Sequence, residues 1–359
     1  MKAILSSGTR HNLAELGIFL IVITFIVGSA GCGPISIEIR DWHDLDAVRD
    51  NMRGSYILMN DLDSTTAGYE ELASAAANEG KGWQPVGGIA VNDGFVGSFD
   101  GQGYEIHDLF INRPDESYVG LFGLVEAGGT IENVGIVNGN VIGYDSVGGL
   151  VGKNEGTVRS SYACGNVTGD LGVGSLVGVN GGTVANSYSS GRVIGRDDIG
   201  GLVGENEGTV SNSYSVGTVS GNDFIGNLVG VNGGTVSNSY TSGSVNGSDF
   251  VGGLVGRNEG TVSKCYSMGS VAGNEYAGGL VGQNLYGVVS NSVWDTQTSG
   301  QATSDGGIGK TTAEMMDIDT FTGATWDIVA ISNSGDRNTG YVWNIVDDVA
   351  YPFLSWQPV

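Results

Sequence analysis

One leucine returns every 26 residues, at Leu150, Leu176, Leu202, Leu228, Leu254 and Leu280, with no insertion between copies. A Val follows one residue on and a Gly two on in all six copies. Four residues on stands Asn, as Asn154, Asn180, Asn206, Asn232, Asn258 and Asn284. Twelve on is Tyr in five copies, Tyr162, Tyr188, Tyr214, Tyr240 and Tyr266, and seventeen on is Val in the same five. A fixed period of this length belongs to solenoids and arrays, whose units bury their apolar faces only against neighbours. Each repeat holds three short apolar runs separated by Gly and Asn, which predicts three strands and three turns. No run is long enough for a helix, and the Leu spacing of a leucine-rich horseshoe is missing. Equivalent strands of successive coils then stack as parallel sheets about 4.8 Å apart. The expected fold is all-β, a parallel β-helix with three strands per 26-residue coil, right-handed like most of its kind, and small caps at both ends.

The repeated columns divide into structural and variable ones. Stacked Asn amides can hydrogen-bond up and down a column, and Asn also tolerates the left-handed backbone of a turn. The six Asn residues are therefore expected to be a structural ladder. The Tyr column is expected to stack inward or half-buried, the alternative being an aromatic platform for sugars. Either the Leu or its neighbouring Val could be the one that points inward. Five residues after the Leu, Glu155, Gly181, Glu207, Gly233 and Glu259 alternate; three after, Lys153, Val179, Glu205, Val231 and Arg257 alternate charge with Val. The true unit is thus a 52-residue pair of coils. Asp197, Asp223, Asp249 and Glu275 fall 21 residues after successive Leu residues, with Leu171 at that register one coil earlier. Solvated turns account for such a column; as a cation edge it would take calcium, which prefers carboxylate oxygens, but it lacks the spacing of a multidentate calcium loop.

Composition narrows the classes. Gly makes up 64 of 359 residues with only 5 Pro and no collagen period, while 40% of the chain is apolar, too much for a disordered glycine-rich linker. A net charge of −24 argues against nucleic acid and anionic membrane surfaces as partners. Cys164 and Cys265 lie four coils apart, roughly 19 Å at strand spacing, beyond disulfide reach. Both are expected free, Cys265 standing where other coils have Ser161, Ser187, Ser213 and Ser239. His43 and His107 are lone histidines without a ligand pattern. Gly309-Lys310-Thr311 is no phosphate loop, because Ser304 stands where that motif needs Gly.

The flanks read as address and caps. Residues 1–31 carry Lys2 and Arg10, the apolar run Ile18–Val27, then small residues, the pattern of a secretory signal. Ala30-Gly31-Cys32 resembles a prokaryotic lipobox with Ser29 as its departure, which implies lipidation at Cys32. Residues 32–115 are expected to be an N-terminal cap with a short helix (Asp41 as N-cap, Leu45, Val48 and Met52 on one face, Gly54 as stop) and an irregular first coil. Residues 116–293 would be the solenoid, and the aromatic segment 294–359 a C-terminal cap.

Gly201-Leu202-Val203-Gly204 and its equivalents, continued by Asn206-Glu207-Gly208-Thr209-Val210 and Asn212-Ser213-Tyr214, resemble the GLUG-motif family. That resemblance implies a secreted or surface β-solenoid; such repeats occur in adhesin-like proteins and in surface metallopeptidases of bacteria. The peptidase signature His-Glu-x-x-His is not in this sequence. The expected function is non-enzymatic adhesion, display or spacing by an exported surface protein or lipoprotein. It would have no cofactor (calcium apart), a glycan or protein ligand, and membrane contact only through an N-terminal lipid. Two alternatives stand beside it: a polysaccharide-acting β-helix enzyme, and a calcium-stabilised carbohydrate-binding module.

Overall fold

Strands of successive coils pair in parallel at one-coil offsets, Thr183 with Thr209, Val184 with Val210, Tyr188 with Tyr214 and Asn180 with Asn206. The computed structural model describes residues 36–88 and 94–358, and within them the chain is a parallel β-solenoid. Residues 1–31, expected to be a secretory signal, and Cys32 lie outside the described residues.

Each regular coil divides into five short strands and not the expected three. In one coil they are Asp197–Gly200, Val203–Asn206, Thr209–Ser211, Tyr214–Ser215 and Thr218–Ser220. The extra breaks come at glycine. In an earlier coil the last two strands are continuous as Tyr162–Thr168, with the register shifting between Cys164 and Gly165. The first two strands are one apolar run folded sharply at Gly-Leu. A Cβ on Gly200 would run into the Val203 carbonyl, and one on Gly204 would lie 2.5 Å from the backbone of Gly172 and Val173, one turn earlier. Side chains are therefore excluded where these two sheets turn onto each other. Leu202 and Val203 are both fully buried at this corner, as are Leu and Val in the other copies. The question of which one points inward has the answer that both are covered. Burying each contributes roughly 1.5–3 kcal/mol before entropy.

The Asn column runs inside the solenoid. Asn154 Nδ2 donates to Asn180 Oδ1 at 2.7 Å, and Asn180, Asn206, Asn232 and Asn258 repeat the bond to the next coil at 2.7–2.8 Å. Each of these amides also reaches the carbonyl two residues on, as Asn206 does to Gly208 at 3.3 Å. The left-handed turns expected at this column lie elsewhere, because these Asn residues end strands. Positive φ falls instead at Ser160, Asn186, Asn212, Asn238 and Lys264, and at Ser146, Asp198, Phe224, Phe250 and Tyr276. In the second set the ladder passes over the residue, pairing Asp197 with Asp223 and Ile199 with Ile225 but not Asp198 with Phe224.

The flanks join the same ladders. Ile37–Ile39 and Ser55–Leu58 pair in parallel and continue the sheet that carries Thr157–Arg159 and its equivalents. Asp41 caps Trp42–Asp46 by accepting from the Asp44 N–H at 2.9 Å, and a 3₁₀ turn, Ala47–Asp50, follows. At the other end Val293–Asp295 and Ile308–Lys310 extend the Tyr-bearing sheet. The rest of the C-terminal segment does not stop at the solenoid's end. It folds back along the flank, where Trp326, Trp343 and Leu354 form a second core with Tyr214, Tyr240 and Tyr266.

Two outcomes follow. Gly204→Ala should lower stability by about 2–3 kcal/mol, the cost of overpacking a site that cannot move. Gly233→Ala, whose Cβ would meet nothing nearer than Asn206 O at 3.8 Å, should stay within about 0.5 kcal/mol; equal effects in urea melts would discard the corner argument. Asn206→Ala leaves the Asn180 amide and the Asn232 carbonyl oxygen facing a methyl group, and should cost about 1–3 kcal/mol. Asn284→Ala, at the ladder's half-buried end, should cost less by the same denaturation measurement.

Candidate functional site: an outward tyrosine ladder and its cleft

The five Tyr residues stand on the outside of the solenoid, not inside it. Alternation along the strand turns the next residue inward: Ser189 is fully buried and donates to Gly201 O at 2.7 Å, while Tyr188 is half-buried. One ring per coil at strand spacing forces a stack. Tyr162 lies on Tyr188 at 4.7 Å between centroids, and the steps to Tyr214, Tyr240 and Tyr266 are 4.9–5.1 Å, all within 12° of parallel. The stack begins where it does because Gly135, one coil earlier, has no side chain to collide with the Tyr162 ring.

The C-terminal segment covers one end of this ladder. Tyr266 donates to Pro352 O at 2.5 Å, Gln357 Nε2 donates to Tyr240 Oη at 2.6 Å, and Trp356 Nε1 donates to Asn212 O at 3.0 Å. Trp356 leans on Tyr214 at 5.7 Å. Covering has a chemical consequence: full burial holds the Tyr266 hydroxyl well above its ordinary pKa. Tyr162 and Tyr188 stay half-buried, and Tyr188 is pushed up to about 12, mainly by desolvation. Tyr162 donates to the Glu105 carboxylate, which also meets His107 Nε2 at 3.0 Å. Between these two rings and the tail lies a cleft of about 410 Å³, lined by Ser160, Tyr162, Asn186, Tyr188, Trp356 and Pro358. The Tyr half of this site is visible in the sequence as a column. Trp356 and Pro358 are not, because nothing local says where a tail more than 140 residues downstream will lie.

The acidic column has a different geometry. Asp197, Asp223, Asp249 and Glu275 are direct register partners in one sheet. Each coil thus supplies one carboxylate, and Asp197 is engaged by Arg196 at 2.9 Å. Arg196 also holds Asp170 at 2.8 Å, keeping that carboxyl below its usual range. Among the described residues no three His, Cys, Asp or Glu side chains gather closely enough to hold a metal ion.

Beside that column runs the left-handed one, Asp198, Phe224, Phe250 and Tyr276. Phe224 stacks on Phe250 at 5.0 Å and Phe250 on Tyr276 at 4.8 Å, with the Arg257 guanidinium 5.3 Å from the Phe224 ring. The 52-residue alternation acts here. Lys153 pairs with Glu155 at 3.0 Å and Arg257 with Glu259, whereas the middle pair of coils carries Glu205 and Glu207. Desolvation, then repulsion from Glu207, raises Glu205. Half-buried Asp198 is raised to about 6 by desolvation first, then by Glu205 and Asp197, against Arg257 and Arg196.

Cys265 is fully buried and its Sγ lies 3.2 Å from Ser263 O, the place taken by Ser239 Oγ against Ser237 O one coil earlier. Burial pushes this thiol up to about 12. Cys164 is half-buried beside Ser190 Oγ at 2.9 Å.

With the coil geometry in place, the repeat can be matched to known proteins. Residues 196–220, one full Gly-Leu-Val-Gly corner with its Asn and Tyr rungs, match the family described as the GLUG motif. That coil carries the GLUG motif. The chain is similar to Halomucin of Haloquadratum walsbyi, 33% identical over 142 residues, which are 38% of this chain and 2% of that protein. It is also similar to a protein of Evansella cellulosilytica named as a Gly-rich membrane protein, 35% identical over 120 residues, 32% of this chain and 13% of that one. The chain therefore spans a small part of each relative. In structure it resembles a Bacteroides ovatus protein described as an immunoglobulin A1 protease, with TM-score 0.58 and 19% identity over 90% of this chain and 93% of that one. A second structure, named IgA1 Protease, aligns at TM-score 0.50 and 18% identity over 74% of this chain and 21% of that one. At such identities the likeness is one of fold. Among the described residues no helix is long and apolar enough to cross a membrane.

The raised Asp198 gives a pH test. Its folded pKa exceeds the unfolded one, so between about pH 4 and 6 the folded state binds more protons and stability falls as pH rises. Asp198→Asn keeps a residue that tolerates positive φ. It should be more stable than the parent at pH 7.5 by about 1 kcal/mol, after discounting for solvent screening, and no more stable at pH 3.5. Thermal melts of both chains at the two pH values check this.

Proposed function

We propose that this chain is an exported, non-enzymatic surface solenoid that adheres, displays or spaces, anchored through a lipid on Cys32. The observation that supports this reading is the chemistry of its clefts. The cleft beside the Tyr ladder is lined by no acid, base or activated nucleophile. A second cleft of about 320 Å³ includes Asp115 and Glu116. Glu116 is engaged by Arg113 at 3.1 Å and Lys81 at 3.3 Å, which leaves Asp115 as a single exposed carboxylate. Glycoside hydrolysis needs two carboxyl groups about 5–9.5 Å apart across a sugar, and neither cleft offers a free pair. Similarity to a protein named as a membrane protein supports an envelope location. The protease names of the structural neighbours bear on those proteins, since a solenoid hosts many functions.

The test is an activity screen of the purified chain on polysaccharides and on immunoglobulin A1, with membrane partition measured alongside. No turnover above the buffer blank is expected, and Cys32→Ala should move the protein from the membrane fraction to the soluble one. Turnover that Asp115→Asn or Glu105→Gln abolishes would overturn the non-enzymatic reading.

A further inference from the structure

Two chemistries meet in the cleft beside the uncovered end of the Tyr ladder. One is apolar. Tyr162 and Tyr188, parallel within 10°, present their edges as a continuous strip across two coils, and Trp356 forms the opposite wall. The other is polar and neutral. The Ser160 hydroxyl, the Asn186 amide and the Tyr188 hydroxyl make no hydrogen bond among the described residues. Elsewhere on the ladder the hydroxyls of Tyr162, Tyr240 and Tyr266 are taken by Glu105, Gln357 and Pro352. An unpaired group occurs under the tail too, at Asn212 Oδ1, but of the free groups Ser160, Asn186 and Tyr188 are the ones that line the cleft.

We infer that this cleft binds one or two rings of a neutral oligosaccharide. A pyranose has apolar C–H faces to lay on Trp356 and the Tyr edges, and a rim of hydroxyls that both donate and accept. The three free groups are matched to that rim, since hydroxyl and amide groups likewise donate and accept. A wholly apolar ligand would desolvate all three unpaired, at a cost for each. An anionic ligand would find no cation in the lining and a chain of net charge −24. The volume falls within the about 300–1,000 Å³ of small-molecule sites. Trp356 closes the cleft against Tyr214, so the open stretch is two rungs long, short for the several residues that a proline-rich peptide lays across an aromatic groove. Asn186 stands at a turn of positive φ and lines the cleft.

This inference rests on the reading of the chain as a binding and display solenoid, and it can fail separately from it. The experiment is saturation-transfer NMR followed by calorimetry on the whole purified chain. The probes are neutral tetrasaccharides of β-1,4-glucose, β-1,3-glucose, α-1,6-mannose and β-1,4-N-acetylglucosamine, with decaproline as the competing class. At least one tetrasaccharide should bind with a Kd of 1 mM or tighter, a threshold set about where weak single-site affinity begins. Tyr188→Phe and Asn186→Gly should each weaken it by about three- to tenfold, what one neutral hydrogen bond supplies. Asn238→Gly, the same turn position two coils away, should leave Kd unchanged and serves as the folding control. No binding by any tetrasaccharide, binding indifferent to both cleft variants, or binding of decaproline alone would each overturn the inference. Hydrolysis of a bound tetrasaccharide would instead overturn the non-enzymatic reading and leave the cleft assignment standing.

Discussion

Two parallel sheets can touch backbone to backbone only where neither carries a side chain, and in this solenoid that contact recurs once per coil. Gly200 lies against the Val203 carbonyl and Gly204 against Gly172 and Val173, so the chain reverses within a Gly-Leu step and buries Leu202 and Val203 together. The position and pitch of every other column follow from this corner. With the corner pinned at 26-residue intervals, register slips are excluded, since a one-residue slip would put a Cβ where the opposing backbone already is. Asn206 then meets Asn180 and Asn232 because it has no other register to occupy.

The same pinning turns a repeated residue into a stack whether or not its side chain is inward. Inside, amides form a ladder in which each rung is both donor and acceptor, and the polar groups are satisfied without water. Outside, phenol rings form a ladder with no intrinsic lid, and an exposed aromatic stripe invites association. The C-terminal segment answers most of it. Trp326, Trp343 and Leu354 cover Tyr266 and Tyr240, and Trp356 reaches Tyr214. Tyr188 and Tyr162 stay half-buried, and Trp356 and Pro358 line a cleft with them. Charge follows the paired-coil alternation: where Lys153 and Arg257 sit beside Glu, the local field is balanced, and where Glu205 falls between them, burial first and Glu205 second hold the Asp198 carboxyl up near 6.

Much of this was legible in the residues. The 26-residue period dictated parallel stacking, since a unit with three or more short apolar runs and no helical stretch can cover itself only with its neighbours. The Asn ladder was legible because an amide at fixed register has few other satisfactory partners. Strand number was not, because Gly217 and the Gly-Leu corner interrupt ladders that the apolar pattern shows as continuous. Nor was the seat of the left-handed turns: positive φ fell not on the buried Asn ladder but on a second Asn column, Asn186, Asn212 and Asn238, and on the stacked rings Phe224, Phe250 and Tyr276.

Sequence by itself therefore determined the coil, its columns and the parallel sheets, because every one of those is a contact between a residue and its own copy 26 positions away. Tertiary structure alone decided which face of the Tyr column is in and which is out, how far the tail runs along it, and where the cleft opens. Those are contacts between unlike segments, Trp356 with Asn212 across 144 residues, and no period in the chain records them.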